Sequence, residues 1–419
     1  MFKTFRQIFK KTNKDLRNRV LYTLGALVIF CLGNTITVPG MKEITGDLGF
    51  LELLNAMSGG GLKQFSIFAL GITPYITASI IIQLFQMDIM GIPYFKELRE
   101  MGEEGRRKIN KITRYIGIGF AFVESYIYTA MFMGSAGLEP VEYVKIAIIL
   151  TAGTAFLLWL GDQITNKGIG NGISLIIMAG IITTMPSMLI EAYKSLIGGN
   201  TNLYIGILSY VIYIILYIAI IVGVIYVQEA QRRIPIQYSN RTVSAYGGRQ
   251  TYLPLRLNSA GVIPVIFASA VLAIPTTLTY FIKSENFQLF VTKYLTTTTP
   301  IGFIVYILLI FIFVYFYTYL AAVNPEDLSK NLNKNGGYIP GIRPGKETSD
   351  YISKVLSRIT FMGGIFLAII AALPIVFSWI SDMPSIVTLG GTSILIVVGV
   401  LLETYKQIES SVASRAYKR

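Results

Sequence analysis

The chain has 419 residues, of which 53% are hydrophobic and only 14% charged, and its mean hydropathy is +0.59. A soluble domain carries about 25% charged residues, so this chain cannot cover a water-facing surface and reads as a polytopic membrane protein. One cysteine, Cys31, and no histidine exclude an internal disulfide, a cysteine metal cluster, a His-Cys zinc site and a Ser-His-Asp triad. No Walker A pattern offers an ATP site, and the expectation is a non-enzyme without catalytic residues, metal or cofactor.

In chain order, the first element is a basic leader: seven of the first 19 residues are Lys or Arg. Phe2, Phe5, Ile8 and Phe9 interleaved with Lys3, Arg6, Lys10 and Lys11 predict a short amphipathic helix on the cytoplasmic membrane surface. The stretch that follows is long enough to span, so no cleavable signal peptide is expected. A span needs roughly 20 predominantly apolar residues. Stretches free of Asp, Glu, Lys and Arg run 20–41, 64–87, 168–190, 195–228, 257–282, 294–325, 359–381 and 383–402. Two weaker ones are 115–138, which contains Glu124, and 143–161, which follows Lys145 and ends at Asp162. The prediction is ten transmembrane helices, an all-α fold with both termini on one side.

Charge then fixes the side. Thirty of the 36 basic residues fall on the side of the termini; only Lys42, Lys63, Lys145, Lys194, Lys283 and Lys293 fall on the other. Cytoplasmic loops are enriched in Lys and Arg, so both termini are expected in the cytoplasm. The same rule accounts for much of the net charge of +13.

Two pairs of spans echo each other. Gly71–Ser79 in the second span and Gly261–Ser269 in the seventh both read G-x-x-P-x-I-x-A-S. Gly172–Ile177 in the fifth and Gly391–Ile396 in the tenth both read G-x-S-x-x-I. Each pair lies five spans apart, an odd number, so residues 195–419 would form a second five-helix half inverted against residues 1–194. Inverted repeats place a functional pathway at the interface of the halves. Pro74 and Pro264 each remove a backbone donor and are expected to mark a seam or cavity.

Four stretches carry a resemblance. They are Met57-Ser58-Gly59-Gly60-Gly61 running into Ile67–Ile76, Gly168–Ser174, Leu253–Pro264 and Tyr338–Gly345. With them the chain resembles the SecY family of protein-conducting channels over nearly its whole length. The resemblance implies a passive central pore that moves unfolded secretory polypeptides across the bacterial plasma membrane and releases membrane segments sideways into lipid. SecA or the ribosome would drive it. It also implies SecE-like and SecG-like small membrane subunits and signal-sequence-bearing substrates. The alternative is a secondary solute transporter, which would also show inverted repeats but needs intramembrane ionisable groups; only Glu124 qualifies by sequence.

Site residues follow from the same resemblance. Ile72, Ile76, Ile173, Ile177, Ile266 and Ile396 match the family's pore ring, an apolar waist that blocks ions yet yields around a polypeptide. Residues 51–63, too short and polar to span, match the plug, with Leu53, Leu54, Met57, Gly59, Gly60 and Gly61; the three glycines are expected to supply freedom for displacement. Thr77, Ser79, Asn258 and Ser259 match the lateral gate. The long cytoplasmic loops 228–258 and 324–353 match the docking surfaces for SecA and the ribosome, with Arg241, Arg249, Arg256 and Arg343.

Overall fold

The computed structural model describes residues 14–41, 44, 52–86, 92–133, 139–198, 203–238, 251–279, 282, 284–296, 299–319, 325–381 and 390–416. The expected amphipathic leader at residues 2–11 lies outside them, as do Arg241 and Arg249. Two compact units emerge, Met1–Ile212 with Ile380–Arg419, and Tyr213–Trp379.

The first unit holds α1 (Lys14–Asn34), the short α2 (Glu52–Met57) and α3 (Gly61–Gln64), α4 (Thr73–Phe85) and α5 (Pro93–Glu100). It continues with α6 (Glu103–Met133), α7 (Pro140–Lys167), α8 (Gly172–Tyr193) and the start of α9 (Leu203–Glu229). The C-terminal α15 (Gly390–Ala416) belongs to it as well. The second unit holds the rest of α9, strands β1 (Gln231–Tyr238) and β2 (Thr251–Arg256), α10 (Ile263–Leu278), α11 (Glu285–Tyr294) and α12 (Pro300–Tyr317). It ends with α13 (Pro325–Lys334), β3 (Gly337–Tyr338) and α14 (Lys346–Ser381).

Among the described residues seven helices are long and apolar enough to cross a membrane, namely α1, α6, α7, α8, α9, α12 and α14. With the shorter apolar α4 and α10 and the 27-residue α15, each of the ten predicted spans has its helix. Their outer surfaces stay apolar: Leu21, Val28, Ile205, Ile215 and Ile304 are all exposed. A helix apolar all round is at home in lipid, where no polar face is needed.

The second and seventh spans differ from expectation. Both are shorter than 64–87 and 257–282, because the chain turns before each helix starts. Phe65 takes φ +51 and Gly71 φ +57 before α4, and Gly261 takes φ +66 before α10; left-handed residues interrupt a right-handed helix. Residues 64–72 are apolar because they are buried in protein: Phe65, Ala69 and Leu70 pack with Val38, Leu62, Tyr128, Ile146 and Leu150.

The long loops carry a small sheet that the all-helical expectation left as loops. Its strand order is β2-β1-β3, with β1 antiparallel to β2 from Gln231↔Arg256 to Ile236↔Thr251. Alternation explains the strand: Ile234 and Ile236 point inward onto Leu255, Leu332, Ile339 and Ile352 while Arg233, Pro235 and Gln237 point out. Arg233 lies over the Tyr252 ring at 4.8 Å, a cation–π contact. Underneath, α14 runs for 36 residues, about 54 Å at 1.5 Å per residue. The hydrocarbon core is only about 30 Å thick, so this helix also serves as the pillar on which the sheet rests.

Candidate functional site

The repeated motifs are helix starts. In each long motif a left-handed glycine, Gly71 or Gly261, stands two residues ahead of the helix. Pro74 and Pro264 are each the second residue of theirs. In the first turn a proline costs nothing, since its missing N–H would have had no partner there. The expectation that these prolines open a seam by freeing a carbonyl is therefore corrected; Pro186, Pro275 and Pro374 are the ones deeper inside described helices. The second motif pair behaves alike, with Gly172 opening α8 and Gly391 second in α15.

Five of the six isoleucines expected in the ring lie in the first unit. Ile72 caps α4 and Ile76 follows one turn on; Ile173 and Ile177 sit one turn apart on α8; Ile396 lies on α15, which packs against α8. Ile72, Ile177 and Ile396 are buried, Ile76 and Ile173 half-buried. Ile266 is half-buried in the second unit on α10, which is fixed to α12 by the Phe267–Phe313 ring contact and the Ser269–Tyr306 hydroxyl pair at 3.4 Å.

Helix α8 is held at its start by backbone that side chains satisfy. Asn171 Oδ1 accepts from Ile173 N (3.1 Å) and Ser174 N (3.4 Å), an N-cap. Thr165 Oγ1 accepts from Gly172 N (2.9 Å), Thr23 Oγ1 from Ile169 N (3.0 Å) and Gln407 Oε1 from Gly170 N (2.7 Å). Gly170 itself is left-handed at φ +86. Thus α1, α7 and α15 all grip the four-residue turn that aims Ile173 and Ile177.

The 52–64 segment sits on the same helix. A Cβ on Gly180 of α8 would collide with the Met57 carbonyl, so α2 approaches α8 to backbone contact. Leu53 and Leu54 lie on α2, and Met57 is buried. Ser58 Oγ donates to Asn55 O (3.0 Å) and accepts from Leu62 N (3.3 Å), while Asn55 Oδ1 accepts from Lys63 N (3.0 Å). Asn34 Nδ2 donates to Gly59 O (2.6 Å), and Asn34 Oδ1 accepts from Ser66 Oγ (3.0 Å). The three glycines are not loose. Gly59 and Gly60 hold φ +73 and +83, and a Cβ on Gly59 would lie 2.7 Å from Asn34 Nδ2 and 2.9 Å from Thr183 Oγ1. In this conformation glycine is required at 59 and 60 by the left-handed backbone, and at 59 and 61 by close approach to Asn34.

The four gate residues bond within their own segments. Thr77 Oγ1 donates to Thr73 O (3.3 Å) and Ser79 Oγ accepts from Gln83 Nε2 (3.1 Å). Asn258 Nδ2 donates to Gly261 O (3.0 Å) and Ser259 Oγ to Arg256 O (2.9 Å). Arg256 and Arg343 are exposed. The Arg343 turn is stiff: Gly341 and Gly345 are left-handed, Thr348 Oγ1 donates to Arg343 O (2.8 Å) and Ser329 Oγ to Gly345 O (2.7 Å). Glu124 is half-buried on α6. On the same helix Arg114 pairs with Asp162 of α7, so the acid that ends the fourth predicted span is neutralised.

Sequence reasoning missed Thr23, Asn34, Ser66 and Gln407. Asn34 carried a signal, as a carboxamide inside a charge-free apolar stretch that must find partners once buried.

These features define a polytopic helical membrane protein with a short helical segment seated on α8, the helix that bears Ile173 and Ile177. A sequence profile of the SecY family matches residues 66–405, and the chain belongs to that family. It is 47% identical over 430 residues to the protein translocase subunit SecY of Staphylococcus epidermidis, covering 100% of this chain and 99% of the relative. Identity to the Staphylococcus aureus subunit is 46% over 433 residues, with the same coverage. Among solved structures it resembles a protein-conducting channel (TM-score 0.67, 22% identity, 94% of this chain and 92% of the other). It also resembles Sec61 of a canine ribosome–channel complex from the endoplasmic reticulum (TM-score 0.64, 22% identity, 94% and 92%). These two likenesses show the fold. The full-length relatives are translocase subunits, and the solute-transporter alternative has no support.

Proposed function

We infer that this chain is the channel subunit of a protein translocase, a passive pore for unfolded polypeptides in the bacterial plasma membrane. The observation that carries this is the seating of the 52–64 segment against α8, the helix of Ile173 and Ile177. A transported chain presents every kind of side chain, so its conduit must bind none strongly, and stiff apolar isoleucine suits that need. Ile72, Ile76, Ile173, Ile177, Ile266 and Ile396 form the proposed ring, and Leu53 to Gly61 the plug. Thr77, Ser79, Asn258 and Ser259 are proposed to line the lateral exit, two in each of the inverted halves 1–194 and 195–419. The distribution of basic residues supports cytoplasmic termini.

The test is a stalled secretory chain in membranes, with a photoreactive amino acid at 76, 177 or 396. Crosslinks to the stalled chain are expected at all three. Position 215, exposed on α9, should give less than about a tenth as much, because it faces lipid. Equal crosslinking at 215 and 177 would remove the pore from this place.

The partners proposed are the ribosome, a SecA-type motor, and SecE-like and SecG-like subunits. Arg256 and Arg343 offer exposed guanidinium groups, suited to bidentate bonding of carboxylate or phosphate; Arg241 and Arg249 are proposed beside them. Arg343→Glu should leave stability within about 0.5 kcal/mol, as an exposed substitution does. A reversed charge at a docking contact costs about 2–5 kcal/mol, so export should slow at least severalfold at unchanged protein level. Normal export at that level would take Arg343 out of the docking surface.

A further inference from the structure

We propose that Asn34 is the latch that holds the 52–64 segment at rest: its carboxamide reaches from the end of α1 to both sides of α3, and release of the segment requires that grip to open. The proposal rests on the reading of this segment as a plug.

Asn34 is the last residue of α1 and is 6% exposed. A buried carboxamide in an apolar protein must have its donor and acceptor met, and here one partner lies in the segment and the other two residues beyond its end. Gly59 O, in the turn after α2, takes the donor; Ser66 Oγ, just past α3, supplies the acceptor's partner. The bonds therefore bracket α3 from before and behind, across 25 and 32 residues of chain.

The surrounding sequence makes room for this amide. A Cβ on Gly59 would crowd Nδ2, and one on Gly61 would overlap Oδ1. Ser66 is itself committed, fully buried and accepting from Phe68 N (3.3 Å), so its hydroxyl proton is directed at Asn34. Within the segment Asn55 and Ser58 bond its own backbone, and from outside Ile44 N donates to Lys63 O (2.9 Å). The segment can thus move as a preformed unit, and Asn34 is the side chain of α1 that ties it to the fixed helices. Neutral hydrogen bonds suit a reversible catch, being weaker than charge-assisted ones and insensitive to pH.

The test uses the full chain in its native membrane complex, reconstituted into planar bilayers with potassium chloride as the permeant salt. Asn34→Leu removes both bonds at similar volume. Asn34→Asp keeps the acceptor for Ser66 but sets a carboxylate against the Gly59 carbonyl. Each should raise resting conductance at least about threefold, as expected from losing one or two neutral hydrogen bonds in the closed state. A second measurement separates release from misfolding. A Cβ on Gly60 would lie 3.7 Å from Thr184 Cγ2 of α8, which brings the two positions within reach of a disulfide, and the same cysteine pair with Asn34 intact controls for the strain of a side chain at the left-handed Gly60. Adding Gly60→Cys and Thr184→Cys to Asn34→Leu, in a Cys31→Ser background, should let oxidation return the conductance to the resting level and reduction restore the leak. Wild-type conductance in both Asn34 variants overturns the latch, as does a leak that oxidation does not lower. If the isoleucine variants described below leak while the Asn34 variants stay tight, the latch fails and the channel reading stands. If neither leaks, both fall.

Discussion

Replacing Ile76, Ile177 and Ile396 together by serine is expected to raise the resting ion conductance of the reconstituted complex at least about tenfold, a barrier drop of about 1.4 kcal/mol. An ion crossing an apolar constriction must shed water without receiving polar contacts in return, and the constriction can empty of water altogether. Each serine removes most of a branched apolar side chain and installs a hydroxyl that both donates and accepts, so the waist becomes wide enough and polar enough to wet. Ile177 and Ile396 are buried on helices that pack together, and Ile76 is half-buried on α4. The matching triple valine variant separates polarity from size. Each Ile→Val loses one methylene, costs about 0.5–1.5 kcal/mol of stability, and stays apolar. It should remain closed. Single-channel recording decides the matter: a serine triple as tight as wild type means these residues are not the seal.

What the sequence showed and what it hid divide along a physical line. The spans were legible because a bilayer demands roughly 20 apolar residues in a row, and each of the ten stretches has its helix. The repeat was legible because Gly71 and Gly261, and Pro74 and Pro264, are local requirements of starting a helix after a left-handed turn. Local appearance also misled. Residues 64–72 looked like membrane helix because burial in protein and burial in lipid select the same side chains, and composition alone cannot tell them apart. β1 escaped notice because the alternation of Ile234 and Ile236 is short and broken by Pro235. The polar ties were hidden for another reason. Asn34 meets Ser66 across 32 residues, Arg114 meets Asp162 across 48, and Gln407 meets Gly170 across 237. No periodicity in one sequence announces a partner that far away. The isoleucines proposed for the ring sit between these cases: by composition they match any lipid-facing residue, and the repeated motifs single out Ile76, Ile177, Ile266 and Ile396.

The crossing of α7 and α8 should tolerate no added side chain. Gly172, the first residue of α8, lies so close to Gly161 of α7 that a Cβ on it would overlap the Gly161 carbonyl oxygen and carbon. Backbone meets backbone there, so no flexible side chain can give way. Gly172 has no left-handed φ, which leaves packing rather than conformation as its requirement. Small residues are what permit helices to approach in a membrane, where lipid tails are as apolar as leucine and close contact supplies much of the attraction. The displaced end of α8 would also pull Gly172 N from Thr165 Oγ1 and Gly170 N from Gln407 Oε1, loosening the turn that aims Ile173 and Ile177. Overpacking typically costs about 1–3 kcal/mol, and losses of 1–2 kcal/mol already change abundance about severalfold. Gly172→Val should therefore lower the level of intact protein in membranes at least severalfold, with Gly172→Ala intermediate. Gly25→Val is the matched control, since a Cβ on Gly25 of α1 meets nothing within 4 Å. Quantitative immunoblotting of the three variants reads the result. Equal levels of Gly172→Val and Gly25→Val would mean that α8 can shift away from α7 freely, and then the grip of Thr23, Thr165 and Gln407 on its first turn would not position the ring.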